Sequence, residues 1–233
     1  MISQFISPLV AIWILSGYIG NRFILMNRKE IVSYYLYTSL LYLFLNSSID
    51  EMVKNCIQDG QMATYLLKPL SFVKVAFIRD LSTRVMKLSL GLPIFFLLLI
   101  LSWREINIPL GLSLFLLPLM TLISFSLSFL ISFTLGLSCL WLEEIWGLQN
   151  LKYVSIIVFG GVALPYQIFP VSLQRLLYWT PFPYLVNWPL RLGMSGSYFK
   201  EIIIAGIWLL FFLVLSRLVW RAGLKRYSAM GVA

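Results

Sequence analysis

Ile202 to Val219 reads IIIAGIWLLFFLVLSRLV; thirteen of these eighteen residues are Leu, Ile, Phe or Val, and the single charge, Arg217, stands near the end. At mid-membrane such side chains are worth roughly −0.3 to −0.6 kcal/mol each, about −4 to −8 kcal/mol together. The stretch is long enough to cross ~30 Å of hydrocarbon as a helix, with Arg217 snorkelling to the headgroups. The rest of the chain shares this character. Of 233 residues 60% are hydrophobic and 12% charged, and the mean hydropathy is +0.89, where soluble chains have roughly 45–50% and 25%. An all-α integral membrane protein is expected, with no room for a soluble catalytic domain.

The same reading places five further spans upstream. Phe5 to Met26 is nearly free of charge and follows no basic leader, so a cleaved signal peptide is not expected. Ile31 to Ile49 is the second, with Tyr34, Tyr35, Tyr37 and Tyr42 suited to a headgroup belt. Val85 to Trp103 is the third and carries Pro93, tolerable where neighbours satisfy the freed carbonyl. The apolar run Ile108 to Leu142 exceeds one span and falls short of two with a turn; it is taken as one tilted helix over about 110–142. That choice puts eleven of the eighteen basic residues on the side of the 50–87 connection and the C-terminal tail, among them Lys54, Arg84, Lys87 and Lys152, and makes that side cytosolic. The three basic residues just after the first span, taken alone, favour the opposite orientation. Gly147 to Leu164 is the fifth span and 202–219 the sixth.

Ser124, Ser128, Ser132 and Gly136 recur every four residues. They form either a small-residue packing seam, the preferred reading, or a chance run in a serine-rich helix. No charge lies mid-span and no cluster of charges lines one, so no proton relay is expected. The segment 165–196 holds five of the ten prolines among aromatic residues. Proline at this density prevents a continuous helix, and broken backbone at membrane depth needs protein or a cavity around it. Short half-helices re-entering the outer leaflet are expected, with a loop lying on the headgroups as the alternative.

The connection over 50–72 is the main cytosolic structure. Ile49, Met52, Val53, Cys56 and Ile57 make an apolar stripe, with Asp50, Glu51, Lys54, Asn55 and Gln58 opposite, in a helix continuing the second span. Asp59-Gly60 reads as a turn, Met62, Leu66 and Leu70 as a second stripe, Pro69 as its end and Ser71 as a cap for the next helix. Such a unit fits either contact with another protein or a helix on anionic lipid.

Several chemistries are excluded or disfavoured. The chain has no histidine, the commonest metal ligand and general base. Cys56 and Cys139 are far apart and read as apolar filler, so neither a disulfide framework nor a metal site is expected. The net charge of +9 fits topology and anionic lipid better than nucleic acid. No GxxxxGK[ST] phosphate loop occurs, so any ATP hydrolysis belongs to another subunit.

The run Ile57-Gln58-Asp59-Gly60 through Leu66-Leu67-Lys68-Pro69-Leu70 resembles the I-x-x-G-x-x-x-x-x-L-[LI]-[RK]-P signature of bacterial ATP-binding-cassette type-2 export permeases. Trp220, Gly223, Lys225, Tyr227 and Gly231 are similar to that family's closing W-x-x-G-x-[KR]-x-Y-x-x-x-G, and Phe169-Pro170, Pro181-Phe182-Pro183-Tyr184 and Pro189 to its Pro-rich stretch. The similarity covers about residues 5 to 232. It implies six spans in the bacterial plasma membrane, cytosolic termini, a coupling helix between the second and third spans, and re-entrant half-helices before the sixth. It also implies a separate ATPase subunit, holding ATP and Mg, and a second permease chain, identical or a sister. Ile57, Gln58, Asp59, Gly60, Leu66, Leu67, Lys68 and Pro69 would then be the coupling residues. Pro165, Phe169, Pro170, Tyr178, Trp179, Pro181, Phe182 and Trp188 would form the outer gate. Members usually begin with an amphipathic helix before the first span, whereas here that span starts almost at Met1; a naturally short chain and a start further upstream both fit. The cargo is not legible, although the lack of span charges points away from a small ion. The alternative from another class is a membrane scaffold or signal relay that binds a cytosolic protein.

Overall fold

The computed structural model describes residues 28–69, 71–102, 112–191 and 199–229. The first span, expected at 5–26, lies outside the described residues. Within them every regular element is helical. α1 is Arg28–Leu45, α2 Ile49–Gln58, α3 Gln61–Leu66, α4 Phe72–Leu101, α5 Leu112–Leu137, α6 Trp146–Phe159, α7 Val171–Tyr178, α8 Asn187–Arg191 and α9 Phe199–Ala229. Short 3-10 turns sit at Ser138–Leu140, Tyr166–Ile168 and Phe182–Tyr184.

Among the described residues three helices are long and apolar enough to cross a membrane, over Phe72–Leu101, Leu117–Leu140 and Phe199–Tyr227. At 1.5 Å per residue the 30-residue α4 is about 45 Å long. It takes in both the connection over 73–84 and the span expected only from Val85. Pro93 sits inside it without ending it. The run 112–137 is one helix that carries Pro118 and ends at Leu137 rather than 142. α6 is only 14 residues, about 21 Å, and stops at Phe159 rather than Leu164.

α5 is the central element, and the others arrange themselves along it. At its start, Met120 and Leu127 pack with Ile156 of α6, the segment Tyr184 to Trp188, and Ile204 and Ala205 of α9. At its end, Phe133, Leu137 and Leu140 pack with Ile49, Val53 and Cys56 of α2, Met62 of α3, Phe72 and Ala76 of α4, and Tyr227 of α9. The molecule therefore has a Pro-rich end and an α2–α3 end. α1, α5 and α9 run toward the α2–α3 end, and α4 and α6 run away from it. Neighbours in sequence thus alternate in direction, as helices joined by short connections across one layer must.

α5 meets its neighbours through its small-residue ridge. Ser124 Oγ donates to Tyr184 O at 2.6 Å, Ser128 Oγ donates to Leu45 O at 2.5 Å, and Ser132 Oγ accepts from Lys152 Nζ at 3.2 Å. At Gly136 the backbone of α2 comes so close that a Cβ would lie 2.7 Å from Val53 Cβ and 3.0 Å from the Asp50 backbone. The seam is thus polar as well as small: each hydroxyl satisfies a backbone or ammonium group where a methyl would leave it unpaired.

Three of the four tyrosines expected in a headgroup belt face protein instead, and Tyr37 is half-buried. Tyr34, Tyr35 and Tyr42 are buried against protein, and Tyr34 and Tyr35 donate to the carbonyls of Gly161 and Ala163 at 2.5 and 2.8 Å. Their hydroxyls fasten the N-terminal half of α1 to the turn after α6, because that turn exposes carbonyls that no helix satisfies.

Gly136→Ala should lower the melting temperature of the detergent-purified chain by the equivalent of about 1–3 kcal/mol, since α2 must back away. Gly206→Ala in α9, where an added Cβ meets nothing within 4 Å, should be neutral or slightly stabilising. Equal melting of the two variants would show that the α2–α5 contact is not tight.

Candidate functional site: the α2–α3 tip and its buried clamp

α2 forms because its apolar residues share one face. Ile49, Val53 and Cys56 are buried, while Glu51, Asn55 and Gln58 are exposed. The Asn55 carbonyl accepts from the Asp59 amide at 2.9 Å and so bonds the turn. Gly60 comes next in the left-handed region, φ +69°, which closes α2 and opens α3 at a backbone angle costly for any residue with a side chain. α3 ends at Leu66, three residues before Pro69. Ser71 occupies the position preceding α4 but its hydroxyl makes no cap bond.

Of the eight residues expected to couple, Gln58, Asp59, Leu66, Leu67, Lys68 and Pro69 are exposed, and Ile57 and Gly60 are half-buried. Leu67 is 88% exposed. Lys68 lies 5.2 Å from the centroid of the Tyr65 ring. The tip is therefore a rigid turn with leucines facing outward on one side and Val53, Cys56 and Met62 buried on the other. Cys56 and Cys139 are both free and buried, and burial pushes the Cys56 thiol up, in keeping with a packing role.

Four further contacts hold the tip. Lys54 Nζ pairs with Glu144 Oε1 at 2.5 Å, and Gln58 Nε2 donates to Glu143 O at 2.8 Å. The Lys54 hydrogen bond, together with the Ile145 and Trp146 amides, holds the Glu144 carboxyl below the usual range. From α9, Tyr227 Oη donates to Gly60 O at 3.4 Å. Trp220 stacks on Phe72 with centroids 5.4 Å apart and planes 4° apart. Trp220 and Tyr227 belong to the C-terminal motif, which thus closes over the N-terminal one.

α2 does not continue α1 directly. The chain breaks at Asn46–Ser48, and the last carbonyls of α1 lose their helical partners inside an apolar bundle. Cationic side chains from two other helices meet them. Arg84 Nη1 of α4 donates to Phe44 O and Leu45 O at 3.3 and 3.2 Å. Lys87 Nζ reaches Asn46 O at 3.5 Å, and Lys152 Nζ of α6 donates to Ser47 O at 3.2 Å. Positive charge at a helix C-terminus is also favoured by the helix dipole. The counter-charges are adjacent: Arg84 pairs with Asp80 at 2.5 Å, Lys152 with Asp50 at 2.8 Å, and Ser47 Oγ donates to Asp80 Oδ1 at 2.9 Å. The Arg84 guanidinium also lies 4.2 Å from the Phe125 ring centroid.

This clamp corrects two expectations. A cluster of charges does stand inside the bundle, because Asp80 and Arg84 are spaced i, i+4 on the inward face of α4 and both are buried. Asp50 is not on a solvated face of α2 but buried against Lys152. The sequence signal that could have located the clamp is the i, i+4, i+7 spacing of Asp80, Arg84 and Lys87, which puts them on one stripe of α4.

In the Pro-rich segment, Pro165, Pro181 and Trp188 are buried, Phe169, Tyr178 and Phe182 half-buried, and Pro170 and Trp179 exposed. Tyr184 Oη donates to Tyr178 O at 2.7 Å, Tyr166 donates to the Gln174 carbonyl, and the Tyr184 and Trp188 rings meet edge-on at 5.6 Å. Short helices joined by turns replace a continuous one, and two tyrosine hydroxyls bond carbonyls of α7. Among the described residues no group of acidic or cysteine side chains could hold a metal ion.

A family model for the ABC-2 family transporter protein matches residues 9–231, and the chain belongs to that family. Comparison with curated proteins returned no match.

Lys152→Met should leave Asp50 buried without a counter-charge and cost about 3–5 kcal/mol. The double variant Asp50→Asn, Lys152→Met should regain most of that. Chemical denaturation in detergent checks this; additive losses would mean that the two residues do not act as a pair.

Proposed function

We propose that this chain is the permease subunit of an ATP-driven exporter in the bacterial plasma membrane, with six spans and cytosolic termini. Two permease chains, identical or sister, would line the pathway and sit on two ATPase subunits that hold ATP and Mg. Family membership supports the transporter reading, since ABC-2 permeases normally work with an ATPase subunit. The alternating direction of α1, α4, α5, α6 and α9 fits spans two to six, with the first expected over 5–26.

One observation carries the coupling role: Leu67 is 88% exposed on a turn whose opposite face is packed and ion-paired into the bundle. An exposed apolar side chain on a braced element suits a partner's groove, because ordering costs nothing further on binding. A push on Asp59-Gly60 would pass through the clamp to α1, α4, α5 and α6 together. Rigid-body motion results, because the Gly136 contact and the Lys152–Asp50 pair leave α2 little freedom to move alone. ATP-driven closure of the ATPases would favour one arrangement of the permeases over another through contacts that differ between the two. At the other end Phe169, Tyr178, Trp179, Phe182 and Trp188 would shield the pathway as an outer gate.

Leu67→Asp removes no internal packing, so membrane insertion and melting temperature should be unchanged. Co-purification of the ATPase subunit and transport-linked ATP turnover should fall at least tenfold. A variant that retains both would rule out coupling through this tip.

A further inference from the structure

The Pro-rich end contains a small cavity of about 30 Å³ lined by Tyr166, Tyr178, Pro183, Tyr184, Asn187, Trp188 and Glu201. Asn187 is 2% exposed, and its Oδ1 and the Glu201 Oε2 are buried with no hydrogen-bond partner. Both are acceptors, and an unsatisfied buried acceptor is costly, more so when charged. Two of the three tyrosine hydroxyls in the wall are committed elsewhere, Tyr166 to the Gln174 carbonyl and Tyr184 to the Tyr178 carbonyl. Among the described residues no cation pairs with Glu201.

The walls are aromatic. Tyr178 and Tyr184 meet at 6.4 Å and Tyr184 and Trp188 at 5.6 Å, both edge to face. Such rings attract a cation to their faces. Two oxygen acceptors are far too few for calcium, which takes 6–8, and magnesium demands a full octahedron. Two acceptors, one of them a carboxylate, among ring faces match a small group that is positive and donates several N–H bonds. A quaternary ammonium has no N–H to donate and would leave both acceptors unpaired.

We propose that this cavity is a binding site for a primary ammonium group, with Glu201 as its counter-ion, Asn187 Oδ1 as its second acceptor, and Tyr178, Tyr184 and Trp188 as its aromatic walls. The site joins α9 to the Pro-rich segment: Asn187 N donates to Gly160 O at 2.9 Å, beside the carbonyl that Tyr34 holds. An ammonium ligand would therefore tie α1, α8 and α9 together. The group could be carried by a free amine or by an aminolipid headgroup, and the site stands whether or not the export reading does.

The test is saturation-transfer NMR on the detergent-purified full chain titrated with ethylammonium chloride at constant ionic strength. Saturable binding is expected, weakened at least tenfold by Glu201→Gln, tightened by Asn187→Asp at pH 8, and not shown by tetramethylammonium. In nanodiscs, competition by phosphatidylethanolamine against a phosphatidylglycerol background would assign the group to lipid, and its absence to a soluble amine. A cavity that holds only water would give no saturable signal, or one that tetramethylammonium or Glu201→Gln reproduces; either result overturns the proposal. If Glu201→Gln does not fold, the Asn187→Asp variant decides, with unchanged or weaker binding counting against the site.

Discussion

A helix that stops within a packed bundle leaves its last carbonyls without helical partners, and the α2–α3 end is organised around how those of α1 are satisfied. The break at Asn46–Ser48 lets α2 turn away from α1, and Arg84, Lys87, Ser128 and Lys152 supply the missing donors. Cations in such a place need counter-charges, hence Asp80 and Asp50. One backbone constraint therefore gathers side chains from α2, α4, α5 and α6 into a single knot. A buried pair of this kind adds little net stability over a well-packed apolar one, but disrupting it is costly. Its physical consequence is to fix the angle at which α2 leaves the bundle.

The ridge on α5 performs the same task by different means along its length. Ser124 holds the Pro-rich segment through Tyr184, Ser128 and Ser132 enter the clamp, and Gly136 admits the backbone of α2. Ser124 and Gly136 are twelve residues apart, about 18 Å along the axis. The contact with α2 and the contact with Tyr184 are therefore made by one helix. The Glu201 cavity lies beside Tyr184, so occupancy there and the posture of the tip bear on the same helix.

Much of this was legible in the residues. The spacing of Ile49, Val53 and Cys56 marked α2, Asp59-Gly60 marked the turn, and the four-residue recurrence from Ser124 marked the seam, because each is a local pattern with a local cause. The side chains that the tyrosines and charges would meet were not legible. Tyr34 reads as an interfacial residue until Gly161 O is found beside it, 127 residues later. Asp50 reads as solvated until Lys152 arrives from α6.

By itself the sequence determined that the chain lives in a membrane, roughly where its apolar helices lie, and that Gly60 must turn it, since transfer energies and backbone sterics act residue by residue. Only the tertiary structure decided which polar groups are buried together. A lone carboxylate or ammonium in an apolar bundle is unfavourable, and whether it is paired, clamping a carbonyl or, as at Glu201, awaiting a donor depends on helices distant in sequence that are brought into contact.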